Sequence, residues 1–114
     1  MVTVSLSLAV ICFLGQCHHA LVGRDTPKGV FHLKHVATNQ KGYGGDILMY
    51  DQNKTYIWAI HRLWLENPEQ HRQSRIESDN PKERVITMGC INVNIKVYEE
   101  LVKCCSNSTL QITE

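Results

Sequence analysis

The sequence lacks the features that would take it out of the ordinary globular class. It has too few residues for two domains: 114 in all, so residues 1–114 are read as one unit. It has no excess of charge of one sign. Twelve Lys and Arg against 11 Asp and Glu leave a net charge of +1 with His neutral, which gives no broad attraction for nucleic acid, and nucleic acid is set aside as a partner. Biased tracts are absent, and 7 Gly with 3 Pro exclude fibrous and low-complexity classes. Long apolar runs are missing too. The most apolar stretch, Val2 to Leu14, is too short to cross a bilayer as a helix. It has no basic residue ahead of its apolar core and no small-x-small cleavage site, so it reads as strand rather than as a signal peptide. Cysteines are few and odd in number, at 12, 17, 90, 104 and 105, so at least one thiol is expected to stay free within the chain. No C-x2-C spacing occurs. Cys12, Cys17, His18 and His19 therefore make a weak ligand set, and no metal is assigned.

What is present is mostly β-patterned. Val2, Val4, Leu6 and Leu8 alternate with Thr3, Ser5 and Ser7, the period-two signature of a half-buried strand, and a second strand over His18 to Val22 would pair with it. Gly23 to Gly29 is turn-rich and leads into a β-prone run from Val30 to Val36. Ile47 to Tyr50 and Tyr56 to Ile60, joined by polar residues, predict a hairpin. Glu66 to Arg84 is almost wholly polar with Pro68 and Pro81 near its ends, which predicts a surface excursion with room for a short helix, a candidate lid. Ile95, Tyr98, Leu101, Val102 and Cys105 recur at helical spacing behind Asn94 as cap, and Cys104 and Cys105 are read as helix packing rather than as a bridge. Leu110 and Ile112 close the chain as a strand. Asn53-Lys54-Thr55 and Asn107-Ser108-Thr109 match the glycosylation sequon and are read as turn residues.

Chemistry is concentrated at two places. His61 ends an apolar strand, where the backbone is firmly held. Cys90 follows Gly89 just ahead of the predicted helix, where a helix N-terminus and free N–H groups would favour a thiolate and an oxyanion. Taken alone, each has a plain structural reading, as a packed cysteine and a hydrogen-bonding histidine.

Thr87-Met88-Gly89-Cys90-Ile91-Asn92-Val93 resembles the Ser/Thr-x-Gly-Cys signature of the L,D-transpeptidase (YkuD-like) catalytic domain. His61 stands where that family keeps its upstream histidine, and Thr26-Pro27-Lys28-Gly29-Val30-Phe31 is similar to its Thr-Pro-x-Gly-x-Phe segment. The resemblance spans most of the chain. It implies a mainly β fold, a β-sandwich with one C-terminal helix packed on the sheet. It also implies an acyl-enzyme chemistry on peptidoglycan stem peptides, with Cys90 as nucleophile and His61 as base. Gly89 would support the oxyanion and Thr87 would orient the site. No cofactor and no metal are implied. Carbapenem-type β-lactams are implied as inhibitors, and the periplasm or cell wall as location, with any leader then lying upstream of Met1. An L,D-carboxypeptidase or amidase using water, and a silent cell-wall-binding domain, are the alternatives. Three positions depart from the family pattern: Arg62 after the histidine, Met88 before Gly-Cys, and Asn92 where an arginine often binds a substrate carboxylate. Arg62, Arg84 and Asn92 are accordingly the candidate substrate-binding residues, with His71, Arg72 and Arg75 of the excursion near substrate.

Overall fold

The computed structural model describes residues 1–114. The chain forms nine strands and two helices in the order β1 (Val2–Ser5), β2 (Val10–Phe13), β3 (Gln16–His19), β4 (Gly29–His32), β5 (Lys34–Ala37), β6 (Asp46–Gln52), β7 (Ile57–Arg62), α1 (Arg72–Glu77), β8 (Ile91–Val93), α2 (Ile95–Cys105) and β9 (Thr109–Thr113). The strands make two sheets, ordered β3-β2-β1-β9-β4 and β5-β6-β7-β8. The mainly β architecture with a C-terminal helix is the one expected.

The apolar alternation at the N-terminus is interrupted. Leu6 to Ala9 forms a turn, with Ala9 at φ 49° and fully buried, so the run splits into β1 and an antiparallel β2. The hairpin partner β3 then lies at Gln16–His19, earlier than expected, across Leu14 and Gly15 at φ 51° and 77°. The β-prone run from Val30 to Val36 also divides. β4 pairs with β9 in the first sheet and β5 with β6 in the second, and the change of sheet occurs at Leu33, which is fully buried and whose N–H donates to Ser108 O at 2.9 Å. A single strand there would have left one sheet without its edge.

Val2, Val4, Ile11, Leu110 and Ile112 from the first sheet meet Leu48, Tyr50, Ile60, Ile91 and Val93 from the second in one core, closed by Tyr98, Leu101 and Cys105 of α2. Burial of this apolar surface is the main stabilising term. Ile95 does not join that face: it is 53% exposed, and Asn94 makes no side-chain cap bond. A second cluster of Leu21, Leu63 and Ile76 anchors α1.

Two disulfides correct the sequence reading of the cysteines. Cys12 and Cys17 are directly opposed across β2 and β3 and are bridged, which removes them as metal ligands. Cys104 is bridged to Cys105. The bridge joins the last two residues of α2, and Cys105 still packs in the core as its helical spacing predicted. Cys90 is the free thiol.

Candidate active site

β7 and β8 are parallel neighbours, with Ile60 opposite Ile91, His61 opposite Asn92 and Arg62 opposite Val93. That register brings the end of the His61 strand beside the segment that starts at Cys90. Both residues line one cleft of about 540 Å³, walled by Tyr43 from the loop before β6, by Tyr56 from the β6–β7 turn and by Ile57 at the start of β7. The turn is tied by Asn53, whose Oδ1 accepts from the N–H of Thr55 and Tyr56 at 2.9 and 2.8 Å, so the first sequon serves as a turn residue.

The loop before Cys90 is held from below by buried polar groups. Gly89 O accepts from Thr26 Oγ1 at 3.0 Å and from Tyr50 Oη at 3.1 Å, and the same Thr26 oxygen accepts from Gly23 N–H at 2.9 Å. Here the Thr-Pro segment meets the Gly-Cys segment. Gly89 sits at φ 134°, and a Cβ there would lie 2.9 Å from Trp58 Nε1. Gly23 tolerates a side chain still less, because a Cβ would stand 2.3 Å from Thr87 O. Thr87 Oγ1 donates to Cys90 O at 2.6 Å and accepts from Gly89 N–H at 3.2 Å. Gly89 N–H is therefore engaged within the loop, while Cys90 N–H has no protein acceptor. Thr87 orders the loop rather than contacting His61.

His61 is 3% exposed. Its Nδ1 lies 2.7 Å from Arg62 O, and its ring meets Tyr43 edge-on with centroids 4.5 Å apart. A carbonyl only accepts, so Nδ1 carries the hydrogen and Nε2 keeps its lone pair. Burial pulls the imidazole from its ordinary 6.5 down to about 4, the bond to Arg62 O opposes this, and the Arg72 charge adds to it. Burial pushes the Cys90 thiol above its ordinary 9.0, against the Ala59 N–H, the Tyr56 hydroxyl and the Arg72 charge, which favour the thiolate. At neutral pH the two groups are a neutral thiol and a neutral imidazole.

The remaining sequence candidates are placed differently from expectation. Arg62 is committed to Asp46, with Nη1 at 2.7 Å from Oδ1 and the guanidinium 4.5 Å from the Tyr98 ring centroid. Arg84 is 2% exposed and donates to Leu8 O at 2.7 Å, Ala9 O at 3.1 Å and Ser78 O, so it ties the turn after β1 to the excursion and does not line the cleft. Asn92 is fully buried; its Oδ1 accepts from Trp64 N–H at 3.1 Å and from Arg72 Nη1 at 2.9 Å. Residues 66–84 are not a lid either. Ile76 is buried against Leu21 and Leu63, and Ile76 O is 2.7 Å from His19 Nδ1, so the excursion packs on the body of the domain and the cleft is walled by other loops. Its buried isoleucine is the one apolar signal in a polar stretch that pointed to packing. Tyr43 and Tyr56 were missed as cleft residues, because their approach to His61 and Cys90 is made by loops far apart in sequence.

No family model and no curated protein matches the sequence. Among solved structures, the chain is similar to an L,D-transpeptidase (Yku) from Stackebrandtia nassauensis, with TM-score 0.59 and 13% identity over 99% of this chain and 54% of that one. It is similar to an L,D-transpeptidase from Mycobacterium smegmatis, with TM-score 0.56 and 12% identity over 99% and 58% of the two chains. It also resembles Mycobacterium tuberculosis L,D-transpeptidase 1, with TM-score 0.58 and 14% identity over 100% and 61%. The chain thus spans between 54% and 61% of the length of these structures, and at such identity the likeness is one of fold. The chain has the L,D-transpeptidase (YkuD-like) fold.

Proposed function

We propose that the protein is a cysteine-dependent L,D-transpeptidase acting on peptidoglycan stem peptides, with Cys90 as nucleophile and His61 as base. The observation that supports this most is the fixed tautomer of His61 in the cleft it shares with Cys90: Nδ1 is engaged by Arg62 O at 2.7 Å, which leaves Nε2 unprotonated. The lowered pKa of His61 leaves that nitrogen unprotonated at neutral pH, with a lone pair to take a proton but with less base strength than an ordinary imidazole.

In this reading the Cys90 sulfur attacks the carbonyl carbon of the third residue of a tetrapeptide stem. A C–S bond forms, the thiol proton passes to His61 Nε2, and the carbonyl electrons move to oxygen, where Cys90 N–H faces the oxyanion. Collapse re-forms the carbonyl and breaks the C–N bond, and the terminal D-alanine leaves as an amine with the proton from His61. The amine of a second stem then attacks the thioester. A new C–N bond forms, the C–S bond breaks, and the amine proton returns through His61 to sulfur. Two disulfides support a location outside the reducing cytosol, in the periplasm or cell wall. No helix of the structure is long and apolar enough to cross a membrane.

Intact-mass analysis after incubation with a carbapenem tests the reading. An adduct on the native protein and none on Cys90→Ala is the expected result, and a product assay on stem peptides then separates amine transfer from hydrolysis. A folded native protein that forms no adduct would sink the reading and favour a binding module.

A further inference from the structure

His61 is held by two contacts, and both lead to Arg62. Its Nδ1 hydrogen goes to the Arg62 carbonyl at 2.7 Å, and its ring meets that of Tyr43 at 4.5 Å between centroids with 79° between the planes. The χ2 torsion of a histidine is soft, so one hydrogen bond at Nδ1 does not by itself fix the plane of the ring, whereas a second ring packed against it does. Tyr43 in turn has one hydrogen-bond partner, the Arg62 side chain, whose Nη1 donates to Tyr43 O at 3.0 Å.

The Arg62 side chain is itself braced by two further elements. The same Nη1 lies 2.7 Å from Asp46 Oδ1 at the start of β6, and the guanidinium lies 4.5 Å from the Tyr98 ring centroid on α2. Tyr98 Oη donates to Asp46 Oδ2 at 3.0 Å, which ties the two braces together. The loop of residues 38–45 is shaped to lie on this side chain. It closes at its base through Thr38 N–H to Gly45 O at 3.0 Å, and Gly42, Gly44 and Gly45 stand at φ 95°, 78° and 105°, a region that glycine adopts without strain. A Cβ at Gly44 would lie 3.0 Å from Arg62 Cδ and Nη1, and one at Gly42 would lie 2.4 Å from Trp64 Nε1. The loop thus carries Tyr43 to His61 along the side chains of residues 62 and 64, directly after the histidine.

We infer that Arg62 is a positioning residue: braced by Asp46 and Tyr98, its guanidinium clamps the loop of residues 38–45 so that Tyr43 fixes the plane of the His61 ring. The inference rests on reading His61 as the base of the Cys90 cleft. Arg62 is one of the three positions that depart from the family pattern, so the clamp belongs to this chain and not to the fold. Its charge serves an internal contact in place of the substrate contact expected from the sequence.

The His61 ring reports the clamp without any reaction. Its Cε1–H resonance, identified as the one missing from His61→Gln, can be titrated by NMR in the native protein and in variants. Tyr43→Ala and Arg62→Met should each move the midpoint from about 4 toward the ordinary 6.5, because either change uncovers the imidazole. The ionisable groups around the ring are Tyr43 of the loop, Arg62 on its own strand, Cys90 in the shared cleft and Arg72 of α1. Arg62→Met therefore removes a charge together with the clamp, and the double variant separates the two: it should move the midpoint no further than Tyr43→Ala alone. Arg62→Lys, whose ammonium can serve both Asp46 and Tyr43 O from one nitrogen, should recover part of the native value. A native midpoint already near 6.5 overturns the inference. So does an unmoved midpoint in Arg62→Met, or a double variant that shifts by the sum of its parts, since Arg62 would then act by charge alone. If Arg62→Met does not fold, Gly44→Ala decides in its place: it pushes the loop off Arg62 with every charge kept, and an unmoved midpoint there overturns the inference. Carbapenem acylation of Cys90 should be about tenfold slower in Arg62→Met, a fraction of what a positioned base contributes, and partly recovered in Arg62→Lys. An unchanged acylation rate beside a shifted midpoint would remove the positioning role. A native protein without an adduct would sink the transpeptidase reading and leave the clamp to the titration; an adduct with an unmoved midpoint in Arg62→Met would do the reverse.

Discussion

Cys90 and His61 are tuned in opposite directions by the same cause. Burial disfavours both charged forms, so the pair rests uncharged and differs from cysteine sites in which a thiolate–imidazolium pair is already formed. Two measurements follow at this scale. The iodoacetamide rate at Cys90 should keep climbing with pH beyond 9, the ordinary thiol value, and a plateau near neutrality would mean a preformed ion pair. His61, lowered from 6.5 to about 4, is a site where the unfolded chain binds the proton more readily than the folded one. Stability is therefore fully present above pH 6.5 and declines as pH falls through the window from 6.5 to about 4, by roughly 3 kcal/mol from this group. Denaturant titrations of the native protein and of His61→Gln across that window should differ in slope, and equal slopes would contradict the assignment. Asp46, held below the carboxylate range by His35, Arg62 and Tyr98 against its partial burial, acts only at lower pH.

At the scale of elements, the Cys90 segment is not held by a regular ladder. It is suspended between Thr26, Tyr50 and Thr87 on one side and packed backbone on the other. Thr26→Val would leave Gly23 N–H without a partner in a buried place and Gly89 O with Tyr50 alone, and should cost about 1–3 kcal/mol. Gly23→Ala should be worse than Gly89→Ala, because its Cβ meets backbone at 2.3 Å whereas the latter meets the edge of Trp58 at 2.9 Å. Thermal melts rank the two, and the reverse order would mean that strain at φ 134° outweighs the steric contact. The excursion is likewise a structural element: its α1 is anchored at Ile76, and it delivers Arg72 to Asn92.

For the whole molecule, Arg84 is the strut between the N-terminal turn and the segment before the Cys90 loop. Arg84→Met should cost roughly 1–3 kcal/mol by removing the donor to the carbonyls of Leu8 and Ser78, while Ala9 O keeps the Ala20 N–H. The protein that remains folded should alkylate Cys90 at the native rate. A selective loss of Cys90 reactivity would instead restore Arg84 to the site. The disulfides define a second global expectation: one alkylatable cysteine in the unreduced protein and five after reduction and unfolding.

Periodicity and local motifs, which depend only on neighbours in the chain, determined the class of fold, the hairpin of β6 and β7, the helix over Ile95–Cys105 and the placing of Cys90 ahead of it. The same locality explains what was misread. A run such as Leu6 to Ala9 or His32 to Lys34 has strand-like residues, yet each becomes a turn or a change of sheet, because buried partners from distant parts of the chain compete for its backbone. The Thr-Pro and Gly-Cys motifs were legible separately, and only the tertiary structure joined them through Thr26 and Gly89. Which arginine stands free was equally beyond the sequence. Arg62, Arg72 and Arg84 are chemically alike, and the folded chain gives Arg62 a carboxylate, gives Arg84 three carbonyls, and gives Arg72 only neutral supports. A charge is available to a ligand only when its internal partners leave it unbalanced, and those partners come together only on folding.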